Sequence, residues 1–415
     1  MLILQRRFLI LIFISITFTA FSKQKSNITF NIDTVFSIAQ MHYRAQNELY
    51  PLADRYPRTI SKNGNIVTTK LNDWTEGFFP GSLWYIYENN KQKELEKIAL
   101  KWTVPMEKIQ YITSHHDVGF LMYCSYGNAY RLTQNPQYKD ILFQSAKSLA
   151  TRFDTITKCI KSWDYRESWD GKHKWYYPVI IDNMMNLELL YFAAEVTGEK
   201  RLAEIATKHA LTTAKNHFRK DFSSYHVVNY HPKTGEVLFR GTCQGFADNS
   251  TWARGQAWAI YGFTMTYRFT KRKEFLTLAK NLSNYWLKNS NMPADGIPYW
   301  DFNAGTKNYT PAEWAIKRPA PAIQPRDASA AAVTCSAFLE LYEITKSKKY
   351  LHEAEKMLNS LASDAYLAKP GTNGNFLLKH SVGSLPHGAE IDVPLIYADY
   401  YFLEALHRYK NLIRR

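Results

Sequence analysis

Six stretches of this chain stay apolar on every side when wound at the helical pitch, and they alternate with stretches that keep one apolar and one polar face. The apolar set covers 81–88, 117–132, 182–196, 252–269, 327–344 and 392–409. Each of the first five ends in a polar turn, for example Thr197-Gly198-Glu199-Lys200 or Thr345-Lys346-Ser347-Lys348. An amphipathic segment follows each turn, as at 138–153, 201–218, 275–286 and 350–366, and another at 32–49 precedes the first unit. The unit recurs about every 65–75 residues, a period that marks an array of helical hairpins. Helices apolar all round are buried, and those with one polar face lie outside them. Six inner helices ringed by six outer ones predict an all-α fold, an (α/α)6 toroid forming one domain over residues 23–415. Such a ring also explains how roughly 390 residues share one core, when simple cores stop growing near ~250–300.

The N-terminus sets a different expectation. Arg6-Arg7, an apolar run from Phe8 to Ile14 and the small, polar exit Thr19-Ala20-Phe21-Ser22 describe a secretory signal peptide over residues 1–22. The run is shorter than the ~20 residues that span a bilayer, so the mature protein is expected in the periplasm or outside the cell, with no membrane segment after cleavage. Removing Arg6 and Arg7 takes the formal charge of +15 to +13. That excess suits an acidic partner. The basic residues are scattered over helical segments with no arm, RNA-binding signature or zinc finger, which argues against nucleic acid and for an anionic glycan. Cys124, Cys159, Cys243 and Cys335 are widely spaced in a chain large enough to fold without staples, so free thiols are expected.

The long connections 58–79, 162–177, 225–250, 291–324 and 371–389 all precede inner helices and therefore gather on one rim. They are rich in Trp and Tyr, with Asp, His, Gln and Arg among them, the mixture a carbohydrate pocket requires. Asp182 stands where the apolar run Val179-Ile180-Ile181 meets a helix. Such an acid can cap the helix, or sit on a pocket floor where burial keeps it protonated as a proton donor. Asp117, Asp327 and Asp392 open helices in the same way. His115-His116-Asp117 could be taken for metal ligands, but adjacent residues diverge on a helix and no third ligand is evident. No metal and no cofactor are expected.

Ser114-His115-His116-Asp117-Val118-Gly119-Phe120, Ile181-Asp182-Asn183-Met184-Met185-Asn186 and Ser250-Thr251-Trp252-Ala253-Arg254-Gly255-Gln256-Ala257-Trp258 closely resemble the unsaturated glucuronyl hydrolases, glycoside hydrolase family 88. The likeness runs in order from about Trp74 to the C-terminus. It implies an (α/α)6 barrel that removes a C4=C5 unsaturated uronate from the oligosaccharides left by polysaccharide lyases, without the usual carboxylate pair acting at the anomeric carbon. By the resemblance, Asp182 protonates C4 and helps activate the water that adds at C5, and Asp117 is the second essential acid. His226 and Gln244 match polar contacts to the ring and the water, and Arg254, Trp258 and Trp169 match substrate-binding positions. Cys243 stands where some members have His. Sulfate-preferring members carry Ser-x-x-Ser-x-Lys in the last rim loop. Here Ser381 and Ser384 are kept and the lysine is replaced by Pro386, with Lys379, His380 or His387 as stand-ins for its charge.

The expected partner is an unsaturated anionic oligosaccharide of the chondroitin, heparin or hyaluronan type, acted on by a monomer or weak homodimer. The rivals are an unsaturated rhamnogalacturonyl hydrolase acting on pectin fragments, a non-catalytic glycan-binding toroid, and an epimerase or lyase on the same barrel.

Overall fold

Alternating helices close into two concentric rings. The computed structural model describes residues 27–168, 171–306 and 323–414. The segment 1–22, Trp169 and residues 307–322 of the connection 291–324 lie outside the described residues. In chain order the helices are α1 (Ile32–Leu49), α2 (Phe78–Asn90), α3 (Lys93–Thr103), α4 (118–133), α5 (Pro136–Ala150) and α6 (Asn183–Thr197). They continue with α7 (Lys200–Asn216), α8 (Ala253–Thr270), α9 (Lys273–Lys288), α10 (Ala328–Thr345), α11 (Lys348–Leu361) and α12 (Ile396–Arg414). The even-numbered members α2, α4, α6, α8, α10 and α12 each pack on the next, and α12 returns to α2 to close the inner ring. Here α3 lies outside α2, α7 outside α6, α9 outside α8 and α11 outside α10.

The division follows the hydrophobic pattern. In α10 every residue from Ala328 to Tyr342 is buried, its alanines letting neighbouring helices approach closely. In α11 the apolar stripe Tyr350, Leu351, Ala354, Met357, Leu358 and Leu361 is buried. Each fully buried Leu, Ile or Phe of the rings contributes about 1.5–3 kcal/mol relative to exposure. All four cysteines are buried and unpaired.

One hairpin turn is repeated at the mouth where the inner helices end. Thr133, Thr197, Thr270 and Thr345 each donate the side-chain hydroxyl to the carbonyl four residues earlier, at 2.6–2.8 Å. Each then accepts the backbone N–H two residues later, at 3.2–3.3 Å. The residue between, Gln134, Gly198, Lys271 or Lys346, takes positive φ (56°, 77°, 55° and 57°) and ends the helix in the left-handed conformation.

The opposite rim differs from the expectation in two ways. Its connections contain antiparallel hairpins, 56–60 with 66–69 and 381–384 with 389–393, and a three-stranded sheet of 178–180, 227–230 and 237–241. The last inner helix starts at Ile396 and not at Asp392. Asp392 belongs to the final hairpin, has φ 55° and meets the imidazole of His380 at 2.7 Å. Pro394, which lacks an N–H, separates hairpin from helix. Helix α4 is also not regular: Val118–Met122 passes through a π-helical turn, Tyr123–Gly127, into Asn128–Thr133.

Candidate active site

Three acids stand at the starts of inner helices, and they do different things. The Asp327 side chain caps α10, accepting the N–H groups of Ser329 and Ala330. Asp117 and Asp182 occupy the equivalent positions of α4 and α6 and make no capping bond. Both point instead into a rim cavity of about 280 Å3. The open choice between cap and pocket acid at Asp182 is thus decided by its geometry.

The polar residues beside Asp182 hold the scaffold. Asn183 donates its amide to the Ile160 carbonyl at 2.7 Å. Asn186 accepts the Phe120 N–H at 2.9 Å, stitching α6 to α4. The helices approach so closely that a Cβ on Gly119 would stand 2.5 Å from Asn186 Cα. This seam fixes the spacing between Asp117 and Asp182. Oδ2 of Asp182 is left buried with no hydrogen-bond partner among the described residues.

The two acids titrate in opposite directions. Burial raises the Asp182 carboxyl against the pull of Arg254, and the charge of Asp117 adds to it, so its pKa reaches about 7. Burial pushes Asp117 up as well, but His116 and His115 outweigh it and hold its carboxyl below the usual range. One ring nitrogen of each histidine lies 3.3 Å from an Asp117 oxygen. A protonated acid beside an ionised one is the pairing that divides proton donor from electrostatic support.

His226 is buried behind Asp182, outside the residues that line the cavity. Its Nδ1 accepts the backbone N–H groups of Cys243 (3.0 Å) and Gln244 (3.1 Å). Burial keeps the ring neutral. The proton therefore sits on Nε2, which faces Asp182 Oδ2 at 3.5 Å. Gln244 lines the cavity and donates its side-chain amide to the Gly383 carbonyl at 3.1 Å.

The remaining sequence candidates are placed unevenly. Arg254 lines the cavity, but its guanidinium is engaged by Asp327 (3.0 Å) and by the carbonyls of Val382 and Gly383. It carries the last rim hairpin. Trp258 is fully buried, packed on Phe120 and Tyr401, and is not among the residues that line the cavity. Ser381 is buried, and its hydroxyl accepts the Ser329 N–H at 3.2 Å. Ser384 lines the cavity and pairs with His387 at 2.6 Å. Among the three stand-ins for the absent lysine only His387 reaches the cavity. Lys379 turns away to the Asp364 carbonyl and His380 to Asp392. Sequence reasoning missed Arg58, Arg166 and Tyr397, which also line the cavity. Arg58 and Arg166 belong to rim hairpins with no helical periodicity to mark which way their side chains point.

A larger cavity of about 380 Å3 opens toward the other mouth. Its arginines are already matched, Arg131 to Glu88, Arg268 to Glu188 and Glu340, and Arg408 to Glu340 and Glu404. Size alone therefore does not mark the reactive pocket. Among the described residues no three His, Cys, Asp or Glu side chains are arranged to hold a metal ion, and no described helix is long and apolar enough to cross a membrane.

Comparison with known proteins identifies the family and the fold. The model of Glycosyl Hydrolase Family 88 matches residues 52–296. The unsaturated glucuronyl hydrolase of Formosa agariphila is 46% identical over 369 residues, covering 88% of this chain and 87% of that protein. The unsaturated chondroitin disaccharide hydrolase of Streptococcus agalactiae is 33% identical, covering 91% and 92%. The crystal structure of an unsaturated glucuronyl hydrolase specific for heparin superposes with a TM-score of 0.85 at 44% identity, over 92% of this chain and 98% of that one. The chain belongs to Glycosyl Hydrolase Family 88 and is an enzyme of the unsaturated glucuronyl hydrolase type.

Proposed function

We propose that this enzyme removes the terminal 4,5-unsaturated uronate from oligosaccharides that lyases release from glycosaminoglycans of the chondroitin, heparin or hyaluronan type. The observation that carries the reading is the pair at the cavity floor: Asp182 with a pKa of about 7, beside Asp117 held ionised.

The chemistry follows from that pair. Protonated Asp182 gives its proton to C4 of the enol ether, and positive charge develops at C5. Water adds at C5 while the Asp182 carboxylate takes its proton, so the acid is restored and the C4=C5 bond has become C4–H and C5–OH. The hemiketal at C5 opens to a ketone and frees the ring oxygen as a hydroxyl on C1. C1 then collapses to an aldehyde and expels the shortened glycan. Asp117 supports the developing positive charge, and neutral His226 orients the Asp182 carboxyl from behind through Nε2–H. The basic balance of the chain, +15 overall, favours anionic fragments.

The test is a panel of unsaturated disaccharides from chondroitin, hyaluronan, heparin and pectin, followed by loss of the ultraviolet absorbance of the conjugated double bond. Wild type should consume the glycosaminoglycan members, and Asp182→Asn should fall by about 10²–10⁴-fold. Consumption of the pectin fragments alone would move the enzyme to rhamnogalacturonan. No loss of absorbance on any member would overturn the reading.

The N-terminal pattern of Arg6-Arg7 and the apolar run after it further supports export, with the mature enzyme in the periplasm or outside the cell. N-terminal sequencing of the protein from a periplasmic fraction checks this. A chain still beginning at Met1 would rule it out.

A further inference from the structure

We propose that the Arg166 guanidinium takes the carboxylate of the terminal unsaturated uronate and so sets the C4=C5 bond over Asp182. This rests on the function proposed above and adds how the substrate's one invariant charge is read.

Three arginines line the reactive cavity, and two are already engaged. Arg58 forms a fork with Glu390 at 2.6 and 3.0 Å and reaches Asp73 at 2.5 Å. Arg254 is held by Asp327 and two backbone carbonyls. Arg166 has no carboxylate partner among the described residues. The acids next to it in sequence are occupied, Asp164 by Arg152 and Lys161 and Glu167 by the Tyr165 hydroxyl.

Its position is built. Arg166 belongs to a short hairpin, opposite the buried Trp175, and its guanidinium lies 4.6 Å from the centre of the Trp163 ring. Trp163 in turn meets His116 edge-on at 6.5 Å, next to Asp117. Stacking on a ring restrains a long side chain and leaves its N–H fork free to bond.

Apart from Asp182, the acids that share the cavity with it are already matched, Glu390 by Arg58 and Asp117 by His115 and His116. The charge of Arg166 is felt by His226 and Cys243, and burial keeps the first neutral and pushes the second up to about 11, so neither is an anion at working pH. A half-buried guanidinium in a pocket, with no carboxylate partner among the described residues, calls for an anion from the ligand. His226 also stands 3.5 Å from Asp182. An anion bound by Arg166 is thus near the reacting carbons, where the C5 carboxylate lies, whereas a sulfate on the next sugar is a full ring away. A planar carboxylate also matches the arginine fork.

The test compares wild type, Arg166→Gln and Arg166→Lys on one unsulfated unsaturated disaccharide and on the methyl ester of its uronate. Wild type should prefer the acid by about 10–100-fold in kcat/KM, chiefly through KM. Arg166→Gln should lose that preference by slowing on the acid alone, and Arg166→Lys should recover part of it. Equal loss on acid and ester would mean a structural prop and would overturn the assignment, as would no loss on either. The same three proteins are assayed on a sulfated counterpart, and loss confined to it would make Arg166 a sulfate reader and would overturn the assignment too. Wild-type turnover of the acid tests the function itself. If wild type is active and the acid-to-ester ratio is unmoved in Arg166→Gln, only the role of Arg166 falls.

Discussion

Nε2 of His226 stands 3.5 Å from Oδ2 of Asp182, while two backbone N–H groups hold the other ring nitrogen. The imidazole thus has one tautomer, set by main-chain atoms that no side-chain substitution removes. It should stay neutral with Nε2 protonated through the range where a free histidine titrates, between about pH 5 and 8. Nitrogen NMR of the labelled ring checks this, and a titration near the free value would contradict it.

Activity should report the two acids. Asp182 must be protonated in the free enzyme, so kcat/KM should fall as pH rises through about 7. Asp117 contributes to that raised pKa through its negative charge. In Asp117→Asn the residual activity should show its falling limb at lower pH, besides a large loss in rate. A limb that stays in place would mean that the two carboxyls are not coupled.

Stability should run the other way from activity at Asp182. An acid whose folded pKa is raised from 3.8 to about 7 stabilises the fold at low pH, and that contribution is lost as pH rises through about 7. Asp182→Asn should therefore melt higher than wild type at pH 8, by about 2–4 °C, with a smaller gain at pH 5 and little below about pH 4. Glu76 and Asp399 are also pushed up to about 7 and lie outside the cavity lining, so they shape the wild-type curve but not this difference.

Gly119→Ala should damage catalysis without touching the pocket. The added Cβ would stand 2.5 Å from Asn186 Cα and 2.7 Å from its Oδ1, prising α4 from α6. A cost of about 1–3 kcal/mol in stability is expected, with a fall in kcat larger than any change in KM. Wild-type kcat in a folded Gly119→Ala variant would show that the seam does not set the spacing of the acids.

The ring was legible from sequence because its signal, apolar helix, polar turn, amphipathic helix, is repeated five times before a sixth apolar helix. What escaped was on the rim. The break in α4 at Tyr123–Gly127 leaves the hydrophobic pattern unchanged, since a π-turn inserts a residue without altering polarity. The late start of α12 was hidden because Glu390 and Asp392 look like helix-start acids, yet both have positive φ within a hairpin. In the site, Asp117, Asp182 and His226 were traceable through motifs. Arg58 and Arg166 were not, because lone arginines in short strands carry no pattern until tertiary folding brings them to one cavity. Trp258 and Arg254 illustrate the reverse case. Both were singled out through a motif, yet one ring is wholly buried outside the cavity lining and the other's two terminal nitrogens are engaged in holding a loop.

Lys271→Gly should raise stability by roughly 1 kcal/mol, since Lys271 ends α8 at φ 55°, where a side chain is disfavoured and glycine is not. Thr270→Val should lower it by about 1–2 kcal/mol through the loss of two hydrogen bonds. Chemical denaturation measures both, and neither should alter kinetics.

Those Thr-ended hairpins divide the molecule between conservation of form and freedom to diversify. At that mouth the chain reverses within two or three residues, so an insertion there would displace a pair of helices. At the other mouth each crossing is long enough to be lengthened, shortened or exchanged while the helices beneath stay where they are. New glycan preferences can therefore arise by swapping rim hairpins over an unchanged socket, and grafting experiments on this enzyme should begin with the segments 162–177 and 371–389.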